Sequence, residues 1–325
     1  MSHTPSLYLP RPVRLVGRRI VQMAPVVVLA TFVVFALVQL IPGDIAVTLA
    51  GEGVSDKRLA EIRQLYGLDQ PFLMQYGQWL WHALQGNLSV SLLSSEPVTV
   101  SIARRLPNTL LIVGLALMVS MAVGIPLGVT AANRPDSRID RFVTLLGSLG
   151  IALPGFWLAM ILVATLSMRL QWFPASGVAS LSSQPLNALH HAVLPAVALA
   201  ASGIAEVARQ SRSALLEVMS SQYIRTLHAK GLPRRLVFWK HGLKNISVNL
   251  LTVFGLLVNR MLGATVVIEA VFAIPGMGSL IVGAATGKDY PVVQGVMLTM
   301  VVIVISINLV IDVLYAMFDP RVDAR

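Results

Sequence analysis

Few residues in this 325-residue chain are placed to do covalent chemistry, and their clusters are informative for what they lack. Gly283-Ala284-Ala285-Thr286-Gly287-Lys288-Asp289 comes nearest to a phosphate-cradling loop. Such a loop needs four residues between its glycines, so that backbone N–H groups surround the phosphates, and a Ser or Thr after the Lys to hold magnesium. Here three residues separate the glycines and Asp289 follows Lys288, so nucleotide binding is not expected. No HExxH zinc helix is present, and no Ser/His/Asp set near a nucleophile elbow. His190 and His191 are adjacent and would diverge on a helix, so they read as an interfacial pair rather than as two ligands of one metal. With no Cys, disulfides, thiolate metal sites, Fe–S clusters and Cys nucleophiles are excluded. No enzymatic activity and no resident cofactor or metal are expected of this chain. Two features remain: a basic run between residues 206 and 244, and a lone Arg260 in an apolar stretch.

The elements that carry them follow from where charge is missing. Hydrophobic residues make up 55% of the chain and charged residues 12%, about half of what keeps a soluble domain wet. Disorder is excluded by the same numbers, since it needs low hydrophobicity and high charge. Residues 20–43, 106–133 and 142–168 hold no Asp, Glu, Lys or Arg, and each is long enough to cross a bilayer. Residues 170–205 are also free of charge, but their Pro, Ser and His residues favour a loop followed by a helix near 192–205. Residues 245–268 are apolar except for Arg260, and 290–311 form the last clean interval. The fold class is therefore an all-α membrane protein with six transmembrane helices, because backbone exposed to lipid must satisfy its own hydrogen bonds. The first apolar run is too long for a signal peptide and lacks a small-residue cleavage site, so it is read as a retained helix.

Lys and Arg set the orientation. With the N-terminus inside, 17 of the 25 basic residues fall on cytoplasmic pieces and 7 on outer ones, with Arg260 inside a span. Both termini are expected in the cytoplasm, the formal charge of +10 is mostly topological, and no nucleic-acid partner is implied. Residues 1–43 then hold the N-terminus and first helix, 44–105 an extracytoplasmic segment, and 106–325 a five-helix core. The outer segment contains amphipathic runs at 57–66 and 72–84, and Tyr76, Trp79 and Trp81 are candidates for an aromatic anchor at the membrane interface. The inner segment 206–244 carries eight Lys and Arg against Glu206 and Glu217. Residues 221–230 within it read as a short helix stopped by Gly231 and Pro233, suited to an anionic lipid surface or to a cytosolic partner. Gly124 and Gly128, and likewise Gly147 and Gly150, would allow close helix contacts.

Arg260 lies 16 residues after Lys244 and 9 before Glu269, about 24 Å and 13 Å along a helix axis, in the outer half of the fifth span. Glu269 is half a turn off its face and cannot easily neutralise it. Arg260 therefore either snorkels to the outer headgroups, pairs with a carboxylate of a partner, or lines a path and attracts an anionic group. Acidic side chains are nearly absent from the apolar intervals, which weakens the alternative of a self-sufficient secondary transporter or channel driven by an ion gradient.

Several motifs carry a resemblance. They are Leu40-Ile41-Pro42-Gly43-Asp44, Tyr66-Gly67-Leu68-Asp69-Gln70-Pro71, Arg105-Leu106-Pro107-Asn108-Thr109-Leu110 and Gly124-Ile125-Pro126-Leu127-Gly128. Later come Leu153-Pro154-Gly155-Phe156-Trp157, Pro275-Gly276-Met277-Gly278, Asp289-Tyr290-Pro291 and Asp319-Pro320-Arg321. In their order and spacing the chain resembles the B-type transmembrane subunit of binding-protein-dependent ABC importers of the dipeptide, oligopeptide and nickel group, from about Arg18 to Arg321. The resemblance implies a permease forming half of a translocation path in a bacterial or archaeal cytoplasmic membrane. Its implied partners are a second, usually different, transmembrane subunit, two cytosolic ATPases that bind ATP and Mg, and an extracytoplasmic binding protein. The resemblance also implies that Arg225, Thr226, Leu227, His228, Ala229, Lys230 and Gly231 form the region that couples to the ATPase. Arg225-Thr226-Leu227 stands where importers in general carry E-A-A, and Leu227 and His228 are bulkier than the common residues.

Overall fold

A computed structural model describes residues 11–39, 46–47, 54–65 and 67–318. Helices dominate it; no strand occurs among the described residues, only an isolated bridge between Val90 and Pro97. The helices are α1 (Arg11–Gln39), α2 (Asp56–Leu65), α3 (Phe72–Leu84), α4 (Val98–Asn133), α5 (Arg138–Ala152) and α6 (Gly155–Leu162), which continues as a wide π turn to Arg169. They continue with α7 (Pro185–Ser220), α8 (Gln222–Ala229), α9 (Leu243–Val271), α10 (Met277–Thr286) and α11 (Tyr290–Phe318). A π-helical turn, Val237–Gly242, leads into α9, so that Arg234–Val271 runs as one helical stretch.

Four stretches are long and apolar enough to cross a membrane: Val98–Asn133, Pro185–Ser220, Arg234–Val271 and Tyr290–Tyr315. The pair α5 and α6 makes a fifth if it counts as one bent span. Within α1 the apolar stretch Val21–Leu37 is shorter, and residues 40–43 of the predicted first span lie outside the described residues. The motifs at 40–44 and 319–321 lie outside them too.

Three helices differ from the reading by charge. The predicted third span, 142–168, is two helices at 97°. Pro154 is the cause: it forces Leu153 into extended backbone (φ −80°, ψ 124°), which ends α5 after Ala152. The helix expected near 192–205 runs instead from Pro185 to Ser220, 36 residues. Proline at its first position suits a helix start, and its later charged residues find partners within the helix (Arg209 with Glu206) and on a neighbouring one (Arg212 with Asp140), so charge does not end it. In the same way α4 begins at Val98 and takes in Arg104 and Arg105, with Arg104 paired to Glu96.

The chain forms two compact units, residues 105–280 and residues 1–104 with 281–325. In the first, α7 is central and mostly buried, and it packs against α5, α6 and α9. Small residues set the approach of α4: a Cβ on Gly128 would lie 2.4 Å from the Ala208 carbonyl oxygen, and one on Gly124 2.7 Å from Val207 Cβ. Gly150 meets Ala205 of α7 in the same manner, whereas Gly147 makes only an ordinary contact. The first turn of α5 is tied to α7 by Arg212, which donates to both oxygens of Asp140, at 2.8 Å for the Nη2 bond. Asp140 Oδ2 also accepts from the Asp136 N–H, and Ser137 Oγ caps the N-terminus of α5.

In the other unit α1 packs along α11 and meets α3. Phe32 and Phe35 of α1 stack edge-on with Phe72 and Tyr76 of α3, and Tyr76 Oη lies 2.9 Å from Thr31 Oγ1. Tyr76 and Trp79 therefore serve helix packing; of the three predicted anchors only Trp81 is turned outward. Buried Asp289 accepts from Ser91 Oγ and from the Leu92 N–H at 3.1 Å, clamping the turn at residues 91–94.

Candidate functional site

The short helix α8 is shaped at both ends by local chemistry. Ser221 is extended (φ −70°, ψ 156°) and breaks the chain away from α7. At the other end Gly231 takes φ +82°, and the Leu232 and Gly231 N–H groups donate to the carbonyls of Leu227 (3.2 Å) and His228 (2.9 Å). That bond pair is the Schellman closure, which favours glycine at the left-handed position. Pro233 is then extended (φ −66°, ψ 142°) and stands at the N-cap of the next helical stretch, which begins at Arg234.

Ile224 is fully buried and pins α8 to the unit, and Tyr223 Oη lies 2.9 Å from His241 Nδ1 in the π turn before α9. Arg225, Thr226, His228, Ala229, Lys230 and Gly231 are exposed, and Leu227 is half-buried. Arg234 and Arg235 are exposed just beyond, so the free face of this segment is strongly basic.

Arg260 has a partner in its own chain. Glu206 of α7 lies beside α9, with Arg260 Nη1 4.0 Å from its Oε2. Arg209 Nη2 donates to the same oxygen at 2.6 Å, and Gln210 Nε2 donates to Oε1 at 3.1 Å. Charge alone places Glu206 in the inner segment, yet it sits within a membrane-length helix, as do Asp140 of the bent pair and Glu269. An Arg at the centre of a lipid-facing helix costs about 2.5–3.5 kcal/mol on insertion scales. Pairing with Glu206 offsets part of that cost.

A second polar centre was missed in the sequence. Glu269 is fully buried at the end of α9. Its Oε1 accepts from Thr109 Oγ1 at 2.6 Å and its Oε2 from the Ser279 N–H at 3.0 Å, while Thr109 Oγ1 accepts from the Met277 N–H at 2.8 Å. The carboxylate thus caps the first turn of α10 from outside, where the helix dipole favours negative charge. Gly276 is required by its contact: a Cβ there would stand 2.2 Å from the Glu269 carboxyl. The available signal was the co-occurrence of Pro275-Gly276-Met277-Gly278 with an acidic residue just upstream.

The remaining candidates are separate. His190 Nε2 lies 2.9 Å from the Trp172 carbonyl and His191 Nδ1 2.9 Å from that of Asn187, so the two rings serve different partners. Residues 283–286 belong to α10, and the Gly287 N–H closes on the Gly283 carbonyl, a helical end rather than a phosphate loop.

Membrane-length helices packed through small residues, with charged pairs such as Arg212–Asp140 joining neighbouring helices and one exposed basic segment, define a multi-pass membrane protein. The family model "Binding-protein-dependent transport system inner membrane component" matches residues 124–324, and the model of its N-terminal region matches residues 13–113. The chain belongs to this family. It is the permease subunit of an ABC importer, and ATP hydrolysis lies on separate subunits. It is 42% identical over 308 residues to a Brucella abortus chain named for a peptide transport system permease, covering 95% of this chain and 98% of that one. It is 37% identical to the oligopeptide transport system permease protein AppB of Bacillus subtilis (94% and 98% covered) and 35% identical to the dipeptide transport system permease protein DppB of Escherichia coli (94% and 97%). The fold resembles a chain of the MetNI methionine ABC transporter in an inward-facing conformation, with a TM-score of 0.54, 17% identity, and 67% and 96% of the two chains covered.

Proposed function

We propose that this chain forms half of the translocation path of a peptide-importing ABC transporter in a bacterial or archaeal cytoplasmic membrane. Six spans cross the bilayer in this reading: α1, α4, the bent pair α5–α6, α7, Arg234–Val271 and α11. Both termini face the cytoplasm. Peptide cargo is supported by the names of the relatives above. A second permease subunit, usually different, completes the path; an extracytoplasmic binding protein delivers the cargo, and two ATPases bind ATP and Mg.

The observation that carries the coupling role is the form of α8. It is an amphipathic helix fixed by Ile224, closed by a left-handed Gly231, and basic on its free face. In this proposal Arg225, Thr226, Leu227, His228, Ala229, Lys230 and Gly231 seat in a cleft of the ATPase, and ATP-driven closure of the ATPases pulls on that segment. The path then alternates between inward and outward access as ATP and cargo favour different states. Arg260 lines the path, at the exposed crossing of α7 and α9.

Gly231→Trp forces a bulky side chain into a left-handed position and tests the seat. The assembled complex should still form but lose most of its substrate-stimulated ATPase activity and uptake. Wild-type rates for both would place the coupling elsewhere. Co-purification of a separate ATPase with the tagged chain tests the assembly itself.

A further inference from the structure

Glu206 is held by two donors, Arg209 and Gln210, and leaves a second cation, Arg260, loosely attended. Arg209 and Gln210 occupy its two oxygens at 2.6 Å and 3.1 Å, whereas Arg260 stands at 4.0 Å, beyond hydrogen-bond reach. A carboxylate pair in close contact with a guanidinium forms two bonds of about 2.8 Å. Arg212 and Asp140, in the same unit, do form such a two-pronged pair. The looser spacing at Arg260 is therefore a property of this place and not of the unit. The Arg260 side chain is 58% exposed and makes no hydrogen bond among the described residues, while the Glu206 side chain is 15% exposed.

The cluster of Glu206, Arg209 and Arg260 carries one surplus positive charge. Around Arg260 the exposed positions of α9 include Leu256, Asn259, Gly263, Ala264 and Val267, so the guanidinium is a single charge on a mostly apolar and small-residue face. A guanidinium offers five N–H donors, and those of Arg260 make no hydrogen bond among the described residues.

We propose that Arg260 is a transit site for the free carboxylate of the cargo, and that Glu206 is its built-in competitor. Cargo carboxylate displaces Glu206 from the neighbourhood of Arg260, and Glu206 takes the position back as the cargo leaves. Arg209 and Gln210 keep Glu206 in place while its partner is exchanged. Conduction needs a site that attracts its cargo but does not retain it, and a tethered carboxylate at 4.0 Å supplies that balance. The class of cargo selected is a solute with a free terminal carboxylate, such as a peptide with an unblocked C-terminus. The inference rests on the reading that Arg260 lines the path.

The test uses the full complex in proteoliposomes, with its second permease, ATPases and binding protein. Uptake of dialanine is compared with that of dialanine amide, each at a concentration that saturates the binding protein; the binding protein is common to all preparations and cancels between variant and wild type. Arg260→Gln should lower the free-to-amide uptake ratio about tenfold, and Arg260→Lys should restore part of it. Glu206→Gln should slow uptake of dialanine more than that of the amide, because carboxylate is then retained. An unchanged ratio in Arg260→Gln overturns the proposal, as does equal slowing of both cargoes in Glu206→Gln. Arg260→Cys separates the two levels of argument. Reaction with a charged, water-soluble thiosulfonate supports the path reading whatever the ratios show, and no reaction in any nucleotide state overturns path and transit site together.

Discussion

Thr109 serves two elements with one hydroxyl, donating to Glu269 and accepting from the Met277 N–H. Thr109→Val keeps the shape and removes both bonds, leaving a buried carboxylate oxygen and a buried N–H each short of a partner. Each unmet group costs about 1–3 kcal/mol, so the expected loss is a few kcal/mol. A clear fall in the thermal midpoint of the detergent-purified complex would be seen, and an unchanged midpoint would show that Glu269 does not depend on Thr109. Gly276→Ala attacks the same contact from the other side, because its Cβ has no space beside the Glu269 carboxyl. The residue types were readable as a motif, but the bond that explains them was not.

At the scale of elements, the seam between α4 and α7 rests on absent side chains. Gly128→Ala would bring a methyl to 2.4 Å from the Ala208 carbonyl oxygen, whereas Gly147→Ala would meet nothing closer than 3.8 Å. Overpacking a tight seam costs about 1–3 kcal/mol, so Gly128→Ala should lower the thermal midpoint of the complex while Gly147→Ala leaves it nearly unchanged. Equal midpoints for the two variants would refute the seam. The small-residue spacings are visible in the sequence, but they do not say which glycine lies under a neighbouring helix. The end of α8 is different: Gly231 followed by Pro233 announces a helix stop through backbone conformation alone, and the stop is where the residues put it.

For the whole molecule, the orientation proposed from Lys and Arg is open to direct measurement, since the chain has no Cys to mask the result. Single Cys residues at Ser55 or Ser94 should react with an impermeant maleimide added to cells with a permeabilised outer envelope and an intact cytoplasmic membrane. Cys at Ser137 or Ser213 should stay unlabelled until that membrane is opened. Labelling of Ser137→Cys from outside would invert the topology.

The membrane class and most helix positions were legible from the sequence, because bilayer thickness and self-satisfied backbone hydrogen bonds act on each segment by itself. The same holds for the turn at Gly231 and for the ordered motifs that carried the family resemblance. Helix ends were read less well where charge was taken as the boundary: α7 continues past residue 205 because Glu206 and Arg212 find partners across helices. Only the tertiary structure brought Arg260 to Glu206, Thr109 to Glu269 and Asp289 to Ser91, the last two pairs being 160 and 198 residues apart in the chain. Pairings of that kind depend on the register and crossing of packed helices, and the registers are set by which glycines admit a neighbour. No local pattern of charge or apolarity encodes them.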